Sequence, residues 1–274
     1  RSSIRVHPIG YSCTMGVLYD RRRPHDCRIE LMRRLRGSAL VGLALLAFGA
    51  NPFMVDELAR PLNRVGHTLF IASGILMTDK KTIDAYNKKA QEYLKLTATS
   101  TPDASLRDFM DEVTPGGRIL DLGCGPASAS AHMRAEGFKP DPVDASPGMV
   151  SLANETFNIG ARLGTFDDLN EVSAYDGIWA NFSLLHAPIA DLPRYFNAIS
   201  AALKPGGILH VGMKTGNGEA RDAIDRKYSY VTVEGLHRLI TESGLRITHT
   251  HEGRDTGLSG SVDAFVVSRA KKDA

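Results

Sequence analysis

The chain of 274 residues is poor in the features that announce a function at once. Its three cysteines, Cys13, Cys27 and Cys124, are too few and too scattered for a disulfide framework or a C-x-x-C metal site. No metal is expected, and a reducing, cytoplasmic setting is the default. An excess of one charge is missing too. A formal net charge of +2 argues neither for nor against a nucleic-acid partner. No apolar run reaches the ~20 residues that span a bilayer; residues 39–50 and 65–77 both stop short. Hydrophobic content of 43% still supports an ordinary core, so the chain is not globally disordered.

The charge is unevenly spread. Residues 1–76 hold eleven arginines, no lysine and five acids, a net +6, whereas residues 77–274 carry −4. Two compositions meet near residue 77. Residues 32–49 resemble a signal peptide, with a basic start, an apolar middle and small residues at the end. We read residues 1–76 as an upstream extension, non-native or poorly ordered and outside the working protein. The competing reading is an export or membrane segment, and membrane contact is expected only if the extension is native. Met77 with Thr78-Asp79-Lys80-Lys81 fits the start of a domain over 77–274.

What the sequence does have is Ile119-Leu120-Asp121-Leu122-Gly123-Cys124-Gly125-Pro126-Ala127. An aliphatic run with an acid leads into a G-x-G and then small residues. This reads as a buried strand, a tight turn and the start of a helix, with Pro126 suited to the first helical position. Such a turn lies at the carboxyl end of a strand, where open α/β sheets bind ligands.

Strands and helices then alternate. Helices are expected over residues 79–96 and 102–113. Strands are expected at 118–122, 139–143, 161–166, 176–181 and 208–213. Helices follow the glycine turn, Ser146-Pro147 and Asp191, and another covers 233–243. Two closing strands, 245–252 and 261–268, have no helix between them. The alternation predicts a doubly wound, mostly parallel α/β sheet with an antiparallel edge.

Asp144 ends the second strand nineteen positions after Gly125, the distance at which a carboxylate meets ribose hydroxyls. A dinucleotide site would want G-x-G-x-x-G, and here the third glycine is missing. Asp121 would also repel a pyrophosphate. It suits a ligand with an ammonium group.

At this point the sequence resembles the class I S-adenosylmethionine-dependent methyltransferases. The resemblance rests on Leu120-Asp121-Leu122-Gly123-Cys124-Gly125, Val143-Asp144-Ala145-Ser146, Tyr175-Asp176-Gly177-Ile178-Trp179 and Ala202-Leu203-Lys204-Pro205-Gly206-Gly207, in the family's order. It covers about residues 80–270. It implies a Rossmann-like seven-stranded sheet with an antiparallel last strand, S-adenosyl-L-methionine as cofactor, and methyl transfer. Asp121 and the backbone of Gly123, Cys124 and Gly125 would face the methionine part. Asp144 would hold the ribose, and Ala145 and Met149 would flank the adenine. Asn181 would lie near the sulfonium. The family often has an acid after the third strand for the adenine amino group. Thr165 stands there in this chain, so the contact passes to the Phe166 amide with Asp167. Tyr86, with Tyr93, would cover the site with an aromatic face that attracts a sulfonium, or the two rings simply pack the first helix.

His186 is the candidate general base by type, although one turn past a strand a histidine also serves to cap or pack. Cys124 reads as a small buried residue and not a nucleophile. Asn181-Phe182-Ser183-Leu184 lacks the Pro-Pro-aromatic signature of nucleic-acid amine methyltransferases, so the expected acceptor is a small molecule and not a nucleic acid. The segment 214–230 belongs where an acceptor pocket would be built, with Arg221, Arg226 and Tyr228 as contacts, or forms a solvated helix with an internal ion pair. A non-catalytic S-adenosylmethionine-binding regulatory module is the alternative, since fold does not fix function.

Overall fold

A computed structural model describes residues 79–97 and 99–274. The boundary expected at 76/77, the apolar stretches 39–50 and 65–77 and the signal-like segment 32–49 lie outside the described residues. Two helices come first, α1 (Lys80–Thr97) and α2 (Ala104–Glu112). Asp103 caps α2, its side chain accepting from the Leu106 amide. The alternating part follows: β1 (Arg118–Leu122), α3 (Ser128–Ala135), β2 (Lys139–Asp144), α4 (Pro147–Phe157), β3 (Arg162–Leu163), β4 (Tyr175–Asn181), α5 (Leu192–Ala202) and β5 (Leu203–Lys214). A hairpin of β6 (Glu219–Arg221) and β7 (Lys227–Ser229), helix α6 (Val233–Glu242) and strands β8 (Leu245–Thr256) and β9 (Val262–Lys272) complete it.

The main sheet has seven strands in the order β3-β2-β1-β4-β5-β9-β8. β1 pairs in parallel with β2 and β4, and β5 in parallel with β4. β9 is antiparallel to both β5 and β8. This is the Rossmann-like sheet with an antiparallel last strand that the motifs imply. The chain leaves β1 toward β2 and β3, then returns to β1's other side for β4 and β5. A crevice opens at that reversal, beyond the carboxyl ends of the strands.

Period-two alternation builds both faces. Leu120, Leu122, Ile178, Ala180, Leu209 and Val211 pack on one side with Leu192, Phe196 and Ile199 of α5. Ile119, Trp179 and Ile208 face the other way, onto Phe109 of α2 and Met133 of α3. Phe196 and Ile199 are fully buried, each stabilising the fold by about 1.5–3 kcal/mol. α1 lies on α4 through a smaller cluster of Ala90, Met149 and Leu152 with Tyr86 and Tyr93 at its edge.

Three expectations need correcting. β3 has two residues, not six, because it pairs only with β2, at Val143 and Asp144, and the chain turns away at Gly164. α3 begins at Ser128 rather than Pro126; Ala127 takes the N-cap in the left-handed region (φ 61°), costing about 1–2 kcal/mol. Segment 214–230 is a hairpin and not a helix: Glu219, Ala220 and Arg221 pair with Ser229, Tyr228 and Lys227. Among the described residues no helix is long and apolar enough to cross a membrane.

Candidate active site

A cavity opens at the carboxyl ends of β1, β2 and β4. Gly123 and Gly125, at φ +77° and +53°, carry the turn along its floor. A Cβ on Gly123 would lie 2.3 Å from that of Ser183, so only glycine fits this approach of the turn to the loop after β4. Asp144 fixes the turn from β2. Its two carboxylate oxygens each accept a backbone amide, from Gly125 and from Ser146, both at 2.8 Å. Ala145 and Met149 line the cavity from the β2–α4 corner, and Phe166 from beyond β3.

Asn181 reaches the cavity from the end of β4. Its amide oxygen is taken by His210 Nε2 at 3.0 Å, which leaves the NH2 side for the cavity. His210 is stacked on Trp179, and burial keeps it neutral. Tyr86 and Tyr93 close the cavity from α1.

Asp121 lies beneath the turn rather than on the lining. It is 2% exposed, and its single side-chain partner among the described residues is Ser130 Oγ, at 2.7 Å. Burial, reinforced by the nearby charge of Asp144, pushes its carboxyl up to about 7. The two acids therefore share one corner of the fold. Burial also raises Asp144. A cavity with one such carboxylate on its lining and a second beneath its floor, both costly to ionise, is suited to a ligand carrying positive charge. Ser183 Oγ is buried at the same cavity with no hydrogen-bond partner among the described residues. These groups fit an amino-acid-bearing nucleoside with a positive sulfur: open glycine backbone, a ribose-side acceptor, apolar walls and uncommitted polar atoms.

The comparisons with known proteins agree. A family described as a methyltransferase domain matches residues 86–250, more than half of the chain. The chain belongs to the class I S-adenosylmethionine-dependent methyltransferases.

Among curated relatives, a ubiquinone biosynthesis O-methyltransferase of Xanthomonas campestris is 29% identical over 102 residues, 35% of this chain and 42% of that protein. The match thus spans less than half of that relative. A malonyl-[acyl-carrier protein] O-methyltransferase of Serratia marcescens is 25% identical over 218 residues, 64% of this chain and 85% of that protein. Among solved structures, the Burkholderia thailandensis 1,6-didemethyltoxoflavin-N1-methyltransferase, with S-adenosylhomocysteine bound, has TM-score 0.55 at 17% identity, covering 71% of this chain and 88% of that one. It shows the same fold.

In this methyltransferase nine of the twelve site residues read from sequence line the cavity: Tyr86, Gly123, Gly125, Asp144, Ala145, Met149, Phe166, Asn181 and His186. Three do not. Asp121 is shielded by the turn. Cys124 turns into the small cluster around Ala127, Ala153 and Ile159, where burial raises its thiol well above the usual range. Asp167 points away, to Arg194 and the Tyr195 hydroxyl. Sequence reasoning missed Thr82, Ile83, Phe182 and Ser183, which also line the cavity. Thr82 and Ile83 sit on a helix whose periodicity marks only an apolar face, so no local signal separates them from core.

His186 is held by a short turn, Leu184–His186. Its Nδ1 meets the Lys227 carbonyl at 2.7 Å, so Nδ1 carries the hydrogen. Nε2 then accepts from the Tyr86 hydroxyl, also at 2.7 Å. Burial pulls the imidazole down to about 4, so it is neutral at pH 7. Arg226 donates to the same Tyr86 oxygen at 3.1 Å. The hairpin is thereby pinned to α1, with further ties from the Lys227 amide to Thr82 Oγ1 and from Arg221 to Asp79.

Proposed function

We propose that this methyltransferase methylates an oxygen of a small molecule. The cofactor supplies a methyl group on a positively charged sulfur. Asp144 would hold its ribose, Ala145, Met149 and Phe166 would flank the adenine, and Gly123 and Gly125 would receive the amino-acid end, with the Asp121 carboxyl acting on its ammonium from beneath the turn. Tyr86 and Tyr93 shield it from water. The observation that carries the small-molecule reading is a second cavity of about 230 Å³ that meets the first at Tyr86, Tyr93 and Phe182. Benzene needs a cavity of about 150 Å³, so a substituted ring fits. The two curated relatives described above are O-methyltransferases by name, which supports oxygen, although a phosphoethanolamine N-methyltransferase of Arabidopsis thaliana is also among the relatives.

The test is incubation with S-adenosylmethionine and a metabolite extract, followed by mass spectrometry. Formation of S-adenosylhomocysteine with a newly methylated small molecule is expected. Methyl label found only on protein or nucleic acid would contradict the reading.

We also take residues 77–274 as the working domain, acting in the cytoplasm. A chain beginning at Met77 is expected to melt within about 2 °C of the full chain, the size of a 0.5–1 kcal/mol change, and to bind S-adenosylhomocysteine equally well. Loss of binding on truncation would show that residues 1–76 belong to the enzyme.

A further inference from the structure

Tyr86 is one of three side chains shared by the two cavities, with Tyr93 and Phe182, and its hydrogen bonds have a direction. Its proton goes to His186 Nε2, because Nδ1 of that ring is committed to the Lys227 carbonyl. One lone pair receives Arg226. The other has no partner among the described residues, and Tyr86 also lines the second cavity. His186 lines only the cofactor cavity, so it meets the second cavity through Tyr86.

The walls of the second cavity say what donates. Tyr93, Phe182, Tyr228 and Phe265 give it flat aromatic sides. Its two cations are already matched: Arg226 by Asp222 at 2.7 Å, and Lys214 by Asp263 at 2.5 Å. Each is nearly buried, and each also lies over the Tyr228 ring. A phosphate or a di-anion would find no unmatched counter-charge in this lining. An uncharged ring with an acidic O–H fits both the shape and the single open lone pair.

Building on the oxygen-methylation reading above, we propose that the second cavity takes a hydroxyarene and that Tyr86 is a catalytic residue, relaying the acceptor's proton to His186. The acceptor O–H bond breaks and its proton passes to the Tyr86 oxygen. The Tyr86 proton moves in the same step to His186 Nε2. The freed electron pair on the acceptor oxygen takes the methyl carbon as the carbon–sulfur bond breaks. Sulfur loses its positive charge and His186 gains one, so the net charge of the site is unchanged across the step. The imidazolium later returns its proton to water through Tyr86.

Three measurements test this. Nitrogen NMR of the wild-type chain, without cofactor, is expected to show His186 protonated at Nδ1 and bare at Nε2; a proton on Nε2 would overturn the relay. A panel of 4-nitrophenol, catechol, benzoate and benzylamine is then offered with S-adenosylmethionine. Methylation confined to the hydroxyarenes is expected. Bound S-adenosylhomocysteine with no hydroxyarene methylated would overturn the inference and leave the cofactor site standing, whereas no S-adenosylhomocysteine binding would sink the underlying reading instead. With the best acceptor, Tyr86→Phe and His186→Asn are each expected to lower kcat about 100-fold or more, the range for lost acid–base help. KM should move only a few-fold, and the double variant should be no worse than either alone, as for groups acting as a unit. Additive losses, or losses confined to KM, would mean that the pair only packs the site.

Discussion

Asp144→Ala is expected to weaken cofactor binding by about 1.5–3 kcal/mol, the worth of hydrogen bonds to a charged group. That is a rise in the dissociation constant of roughly 10- to 150-fold. The carboxylate has two tasks. It steadies the glycine turn through the amides of Gly125 and Ser146, and it presents its remaining lone pairs to the cavity. Asp144→Asn separates them. It keeps one acceptor for the turn but places an NH2 group where the other oxygen stood, so its melting temperature should lie between those of wild type and the alanine variant. Calorimetric titration with S-adenosylhomocysteine reads the binding term. A dissociation constant unchanged in both variants would remove Asp144 from the cofactor's partners.

Asp121→Asn is expected to raise the stability of the cofactor-free enzyme while weakening cofactor binding. An unfolded aspartate titrates near 3.8, and burial lifts Asp121 to about 7 in the fold. The folded state thus holds this proton more tightly than the unfolded chain. Stability is highest while the group is protonated in both states, falls as pH rises from about 4 to about 7, and stays low above that. Three pKa units correspond to about 4 kcal/mol. An asparagine escapes this penalty and still accepts from Ser130 Oγ, but its NH2 lacks a partner, which costs about 1–3 kcal/mol. The net gain at pH 8.5 is then about 1–3 kcal/mol, and at pH 4 the variant should be the less stable of the two. Thermal melts at both pH values decide it. A melting difference that does not change sign with pH would show that Asp121 does not titrate near neutrality. A cofactor ammonium seated over the turn would favour the ionised acid in wild type, so binding at pH 6.5 should release a proton, and the asparagine variant should release none.

The order of the main elements was readable because each carries a local signature. The buried β1 run, Ser146-Pro147 at the start of α4 and the i, i+3, i+4 stripe of α5 all rest on contacts close in sequence. What was not readable depends on distant partners. β5 begins at Leu203, across a Pro-Gly-Gly that reads as a turn, because Leu203 pairs with Tyr175 through an irregular register. β6 and β7 are three residues each and mostly polar; their order comes from Arg226 and Asp222 closing the hairpin tip and from Asp79, just before α1, and Thr82 of α1 holding it. β8 runs past its expected end to Thr256, which pairs with Val262 almost at the connecting turn, and β9 runs on at its other end to Lys272, held by pairing of Lys271 with Ile208 and of Lys272 with Leu245. In the site, motif spacing located the backbone-anchored residues, Gly123, Gly125 and Asp144. It could not show that Asp167 would be claimed by Arg194, nor that the Tyr86 hydroxyl would meet His186, one hundred residues away in the chain.

The most direct test is a crystal structure of the enzyme with S-adenosylhomocysteine. The ribose hydroxyls are expected on Asp144, the adenine between Met149 and Phe166, and the sulfur facing Tyr86 across from the second cavity. A nucleoside bound anywhere other than over the Gly123–Gly125 turn would contradict the site described above.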